Sequence, residues 1–318
     1  MDFSIAGAIR DHLPRRSAFM KIVLTGASSF IGTVLAGQCR VKDIEVVGID
    51  ARHPEGSGWH RADIRAPDIG DLIPDGADAL VHLAALSRDP DCRNKAKACF
   101  DVNVMGTLNL IEAAKIRNVR QFVFASSEWV YDSFDPGVEK AEDAPIDAGR
   151  LASEYAFSKY VSENNLRQQA AHGFCRATVL RFGIVYGPRG ANWSAVEALL
   201  NAVATADEVR VGSRATARRF IHVLDVAEGI LAALGSSRSY DVFNIQGPSL
   251  VTLGEVIERS GEILSRAPRV VETDPRSPSV RAVSGRKATE ELGWSARIHI
   301  RDGLADVARH LRLSAASI

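Results

Sequence analysis

Tyr155 and Lys159 are the residues of this 318-residue chain whose types and spacing point most directly to chemistry. In Tyr155-Ala156-Phe157-Ser158-Lys159, a spacing of four stacks the two side chains on one helix face. An ammonium beside a phenol favours the phenolate and is expected to lower the tyrosine pKa from ~10. A phenolate near neutral pH is a usable general base for an alcohol. A second candidate is the turn Gly26-Ala27-Ser28-Ser29-Phe30-Ile31-Gly32. It lies between a β-rich run at 20–25 and a helical stretch at 33–39, an arrangement that aims backbone N–H groups and a helix dipole at a pyrophosphate. Eighteen residues after Gly32, the apolar run 44–49 ends in Asp50. An acid there accepts hydrogen bonds from the adenosine ribose hydroxyls and repels a 2′-phosphate, which predicts NAD rather than NADP. Arg52, two residues on, softens that preference.

The elements that must position these residues alternate. Runs 79–85, 121–125 and 177–181 are continuously apolar, and 103–115 reads as a helix with Val104, Leu108, Ile111 and Ala114 on one face. Ser126-Ser127 closes the run 121–125. Buried strands separated by helices imply an α/β fold with a parallel sheet covered on both faces, binding ligands beyond the carboxyl ends of the strands. Lys plus Arg and Asp plus Glu are each 39, so the formal net charge is zero. That gives no electrostatic case for a nucleic-acid partner or a polybasic membrane anchor. No apolar run approaches the length of a membrane span. Cys39, Cys92, Cys99 and Cys175 lack metal or redox spacing, as expected of reduced thiols in the cytoplasm. His12, His53, His60, His82, His172, His222, His299 and His310 lack ligand spacing, so no metal is expected. Residues 1–19 read as a flexible extension or a start misassigned upstream of Met20.

With these motifs assembled, the chain resembles the NAD-dependent epimerase/dehydratase family of extended short-chain dehydrogenases/reductases over about residues 20–312. Its ordered matches include TGASSFIG, VHLAA, DVNVMGTLNLIEAA, ASSEWVY, YAFSK, LRFGIVYGPR, RRFIHVLDVA and LGW. The resemblance implies a Rossmann-type doubly wound parallel sheet with a smaller, discontinuous α/β substrate domain. The NAD-binding domain would take 20–181 plus about 220–246, and the substrate domain about 182–219 plus 247–312. It implies that Tyr155 is the catalytic acid/base, that Lys159 lowers its pKa and holds the nicotinamide ribose, and that Ser127 hydrogen-bonds the reacting oxygen. Gly26, Ser28, Ser29, Phe30, Ile31 and Gly32 would cradle NAD. Asp63 and Ile64 would contact adenine, Leu83, Ala84 and Ala85 would line the dinucleotide path, and Asn103 would support a proton relay. A homodimer through helices at about 97–117 and 153–171 is also implied, with Tyr160, Val161 and Leu166 open to either interface or core. His222 matches a helix start.

Four departures from the family pattern bear on function. Ser29 replaces the middle glycine of the turn. Ile184 stands where nucleotide-sugar enzymes keep an Asn on the substrate diphosphate. Arg218 matches the substrate-phosphate arginine and is followed by Arg219, where the family has Asp; Arg276 loosely matches a late arginine. Glu128-Trp129 follows Ser127, so the glutamate that takes the carbon-5 proton in sugar 4,6-dehydratases is Trp129 here. Glu128 either contacts a substrate hydroxyl or caps nearby backbone, and Trp193 either stacks on a base or packs. The expectation is an NAD-dependent nucleotide-sugar epimerase, resembling UDP-glucose 4-epimerases. The alternative is an NAD-dependent sugar or uronate dehydrogenase or reductase. A non-enzymatic NAD-sensing protein would ordinarily lack Tyr155 or Lys159.

Overall fold

The computed structural model describes residues 20–52, 58–132, 134, 137–151 and 153–313. The expectations for residues 1–19, including His12, and for His53 lie outside them.

Seven parallel strands form the central sheet: β1 (Lys21–Thr25), β2 (Glu45–Asp50), β3 (Trp59–Arg61), β4 (Ala79–His82), β5 (Gln121–Ser127), β6 (Arg176–Phe182) and β7 (Tyr240–Ile245). Their spatial order is β7-β6-β5-β4-β1-β2-β3. The order reverses between β1 and β4, which is the switch point where doubly wound sheets open a crevice beyond the strand ends. The expected Rossmann-type sheet is therefore present. β3 is an addition to it: three residues, Trp59-His60-Arg61, are too short and too polar to read as a strand, yet they pair with Gly48–Asp50 at the edge.

Side chains alternate across the sheet and build two cores. On one face Ile22, Leu24, Val81, Val123 and Leu180 pack with α1 (Phe30–Val41) and a helix at Val223–Ala233. On the other, Val23, Leu80, Phe122 and Phe124 pack with α2 (Gly106–Ile116) and α3 (Glu154–Ala171). The helix expected at 103–115 starts differently: Asp101–Met105 form a π-helical turn before α2 takes over. A third apolar cluster, including Val196, Leu200, Val256 and Leu304, unites helices Ala195–Thr205, Leu253–Leu264 and Ile300–His310. Leu166 lies fully within the sheet core and Tyr160 packs against the Tyr131 cluster. Met105, Ile116 and Phe157, at 56%, 75% and 40% exposure, are large apolar side chains exposed on or beside α2 and α3.

Candidate active site

The turn after β1 gathers the residues suited to a dinucleotide. Gly26 has φ +71, and a Cβ there would meet the Ala84 nitrogen at 2.7 Å. Gly32 is tighter still, since its Cβ would meet the Gly26 oxygen at 2.2 Å. Backbone contact of this closeness ties the turn to Leu83 and Ala84 just past β4. Ser29, by contrast, sits at φ −69 and ψ 167, extended backbone open to any residue. It caps α1, its hydroxyl oxygen accepting the Gly32 N–H at 3.1 Å. Replacement of the middle glycine is therefore sterically free here. The first-turn N–H groups of Phe30 and Ile31 have no acceptor within the helix. Ser28 and Ser29 are exposed. Asp50, ending β2, accepts the Ser28 N–H at 3.0 Å and the Arg52 N–H at 2.9 Å. Exposed serines, free helix N–H groups and a carboxylate at the switch point fit the pyrophosphate and ribose of NAD.

Asp63 is held by Arg65. Its carboxylate pairs with the Arg65 guanidinium at 2.9 and 2.6 Å, which holds it below the usual carboxylate range. Ile64 is buried, and its carbonyl accepts from Asn109 at 2.7 Å. A cavity of about 660 Å³ lined by Asp63, Arg65, Ala66, Asp101, Met105 and Asn109 opens at this end, not at Tyr155.

The catalytic candidates meet where β5 runs out against α3. Ser153 caps α3, accepting the Ala156 N–H at 3.2 Å, so Tyr155 falls in its first turn. Tyr155 is 8% exposed and lies within reach of the Ser127 hydroxyl, which favours its charged form. Lys159, one turn on, donates to the Ala125 carbonyl at 2.8 Å. Its Nζ lies 6.0 Å from the Tyr155 ring centroid and 4.8 Å from that of Phe124.

The electrostatics correct one expectation. Burial pushes the Tyr155 phenol up to about 12, against a smaller lowering from the Ser127 hydrogen bond. Lys159 does not lower it as the spacing suggested. Burial drives Lys159 itself down to about 8, and its ammonium is directed at a carbonyl rather than at the phenol. Desolvation is the largest influence on both groups and opposes the charged form of each.

Asn103, in the π-helical turn, is fully buried. Its side chain accepts the Leu86 N–H at 2.8 Å and donates to the Leu86 carbonyl and the Ser158 hydroxyl, each at 3.0 Å. It braces the exit of β4 against α3 and contacts Ser158 rather than Tyr155. A buried relay, Thr25–His82–Thr107, runs beside it at 2.8 and 3.0 Å, and burial pushes His82 down to about 3.

On the far side of Ser127 lies Glu128. It is fully buried, neither carboxylate oxygen has a hydrogen-bond partner, and burial pushes it up to about 7. It caps no backbone. Arg218 Nε stands 4.0 Å from it. The other cation facing it is Arg281, which the sequence reading missed because it sits in an irregular segment with no motif. Arg276, expected near the substrate, is exposed and five residues short of that place. Arg219 pairs with Glu139 at 2.6 Å. Trp129 stacks under the Arg281 guanidinium at 4.7 Å. Ile184 packs against the third apolar cluster. His222 starts a helix, its Nδ1 accepting the Leu224 N–H at 3.4 Å, and the Trp193 indole donates to the Arg189 carbonyl at 3.1 Å. Among the described residues no group of three His, Cys, Asp or Glu side chains could hold a metal.

The pattern of glycine turn, β2 acid and Ser–Tyr–Lys cluster coincides with a family model described as NAD dependent epimerase/dehydratase family, matched over residues 22–245. The chain belongs to this family. It is similar to a UDP-glucose 4-epimerase of Streptomyces lividans, 26% identical over 307 residues, covering 86% of this chain and 91% of that protein. It is equally similar to a dTDP-glucose 4,6-dehydratase of Streptomyces griseus, 28% identical over 306 residues, covering 89% and 92%. The Thermus thermophilus UDP-glucose 4-epimerase, solved with NAD, superposes with a TM-score of 0.80 at 25% identity, covering 94% of this chain and all of that one. The chain is thus an enzyme of the NAD-dependent epimerase/dehydratase family, and its relatives at this identity include both epimerases and dehydratases. No helix among the described residues is long and apolar enough to cross a membrane.

Proposed function

We propose that this chain is an NAD-dependent nucleotide-sugar epimerase, similar in activity to UDP-glucose 4-epimerases. The observation that carries the reading is the buried contact of Tyr155 with Ser127, one helical turn from Lys159 and beyond a turn suited to NAD. Bound NAD would accept hydride from a sugar carbon and return it to the opposite face, with no net redox change. Gly26, Ser28, Ser29, Phe30, Ile31, Gly32 and Asp50 would hold it, with Leu83, Ala84 and Ala85 along its path and Lys159 at the nicotinamide ribose. Tyr155 removes the proton of the sugar hydroxyl and later restores it. Ser127 hydrogen-bonds the same oxygen as charge develops there. Lys159 ties α3 to the strand end that carries Ser127 and, when protonated, supplies positive charge behind the phenol. Asn103 holds the register between β4 and α3.

The substrate would lie between the sheet edge and the lobe built on the third apolar cluster. We assign 20–181 plus about 220–246 to the NAD domain and 182–219 plus 247–312 to the substrate domain. Trp129, in place of a second carboxylate, disfavours dehydration. Ile184 favours a second reading, a sugar or uronate dehydrogenase, because its apolar packing offers nothing to a substrate phosphate. Purification separates the two. An epimerase retains NAD through gel filtration and makes no net NADH from sugars. Ready loss of cofactor together with steady NADH production would establish the dehydrogenase.

A further inference from the structure

Loop 187–194 touches both walls of the crevice between β1 and β4. Its base is held by one buried carboxylate. Glu197, in the first turn of helix Ala195–Thr205, accepts the Gly187 N–H at 3.1 Å, the Arg189 Nε–H at 2.7 Å and the Ser194 N–H at 2.9 Å. Both ends of the loop are thus pinned to the same group. On the β1 side, the Arg189 guanidinium lies 4.5 Å from the centroid of the Phe30 ring, which belongs to the glycine turn. Gly187 packs on the same ring, since a Cβ there would come within 3.2 Å of Phe30 Cζ. On the β4 side, Arg88 Nη1 donates to Asn192 Oδ1 at 2.8 Å, across 104 positions of sequence. Asp91 grips the same guanidinium by its Nε and Nη2, at 2.9 and 2.7 Å, which fixes its plane with Nη1 toward Asn192. Asn192 has φ +58, a left-handed conformation that Asn tolerates better than most residues.

The two attachments differ in kind. On the β1 side, the Arg189–Glu197 pair that carries the stack is largely buried. On the β4 side, the Arg88–Asn192 hydrogen bond is exposed. Water competes for such a bond, and local openings begin where exposed hydrogen bonds hold few apolar contacts. The loop is therefore anchored at one wall and able to unlatch at the other. We propose that loop 187–194 is a strap across the NAD crevice, and that Arg88 and Asn192 are the latch that sets how fast the cofactor enters and leaves. The inference rests on the NAD-dependent reading above and adds what governs the residence of the cofactor. Residence is the property that separates an enzyme working with one retained NAD from one that exchanges it at every turnover. The latch joins protein to protein, so it slows entry and exit alike. Opening it changes both rates by the same factor and leaves the equilibrium affinity where it was.

The test follows NADH release. Wild type, Arg88→Met, Asn192→Gly and the double variant are loaded with NADH and mixed with excess NAD, and the change in NADH fluorescence is recorded by stopped flow. Arg88→Met keeps the apolar stem and removes the donor. Asn192→Gly removes the amide and keeps a residue at ease with positive φ. Each single variant is expected to release NADH about fivefold faster, the order set by loss of one hydrogen bond. The double variant is expected to be no faster than the singles, because both open the same latch. The dissociation constant of NADH, from fluorescence titration, is expected to match the wild type in all three. A wild-type release rate in either single variant would overturn the proposal. Single effects that multiply in the double variant would overturn it too, since they mean two separate roles. So would a raised dissociation constant, which means direct contact with the cofactor. No sugar enters this measurement. The expected release pattern in a protein that interconverts no sugar would defeat the epimerase reading and leave the strap standing. An active epimerase whose release is unchanged by the variants would defeat the strap alone.

Discussion

Tyr155 and Lys159 share a helix face, yet burial works against the charged form of each. The phenol near 12 and the ammonium near 8 describe a site that holds its proton until substrate and cofactor enter. Tyr155→Phe removes the acid/base and keeps the packing. It should retain NAD binding, measured by fluorescence titration, and lose about 10²–10⁴-fold in kcat. Wild-type activity in that variant would refute the assignment. The pH dependence follows from Lys159. Its charged form exists below about 8 and is lost above it, so kcat should decline as pH rises through about 8. The spacing of the pair was legible in the sequence; its electrostatics were not. A four-residue interval fixes which face two side chains share, but the desolvation that reverses the tyrosine shift depends on Cys92, Cys99 and Trp129 closing over it.

At the scale of elements, the glycine turn and the π-helical turn do the positioning. Gly26→Ala places a Cβ against the backbone of Leu83 and Ala84 at a φ of +71. The left-handed conformation alone costs roughly 1–2 kcal/mol for a non-glycine residue, and the close contact adds to it. That variant should unfold at lower urea concentration and bind NAD more weakly, whereas Ser29→Gly should leave both nearly unchanged. Asn103→Ala leaves the Leu86 N–H and carbonyl without partners and should cost about 2–3 kcal/mol in urea unfolding. The strands β1, β2 and β4 to β6 were readable because continuous apolar runs mark a doubly covered sheet. β3 was not, because its three residues pair only with an edge already set by β2. Asp101–Met105 carry the same apolar spacing as the helix they precede, so the wider turn is invisible without coordinates. Arg281 escaped notice for a different reason: it belongs to neither a periodic segment nor a motif, and only the fold brings it to Glu128.

Across the whole molecule, a buried ionic network under the strand ends joins parts of the chain far apart in sequence. Arg181 meets Glu163 at 2.7 Å and donates to the Tyr131 hydroxyl at 3.0 Å, while Ser126 donates to the same Glu163. Arg181→Met would strand Glu163 as a buried charge and should cost about 3–5 kcal/mol. Chemical denaturation would record it, and a loss below 1 kcal/mol would show that the pair is not structural. Met105, Ile116 and Phe157 leave exposed apolar surface on and beside α2 and α3, and Cys39, Cys92, Cys99 and Cys175 are free thiols. The overall neutrality of 39 basic and 39 acidic residues coexists with a cleft edge where two arginines face one acid. The central claim concerns what that cleft does to a sugar. Its most direct test is proton NMR of UDP-, GDP-, CDP- and dTDP-sugars incubated with the purified protein and no added cofactor. The account predicts that one of them interconverts with a stereoisomer at a single ring carbon. Unchanged spectra for every sugar, from protein that carries NAD, would contradict it.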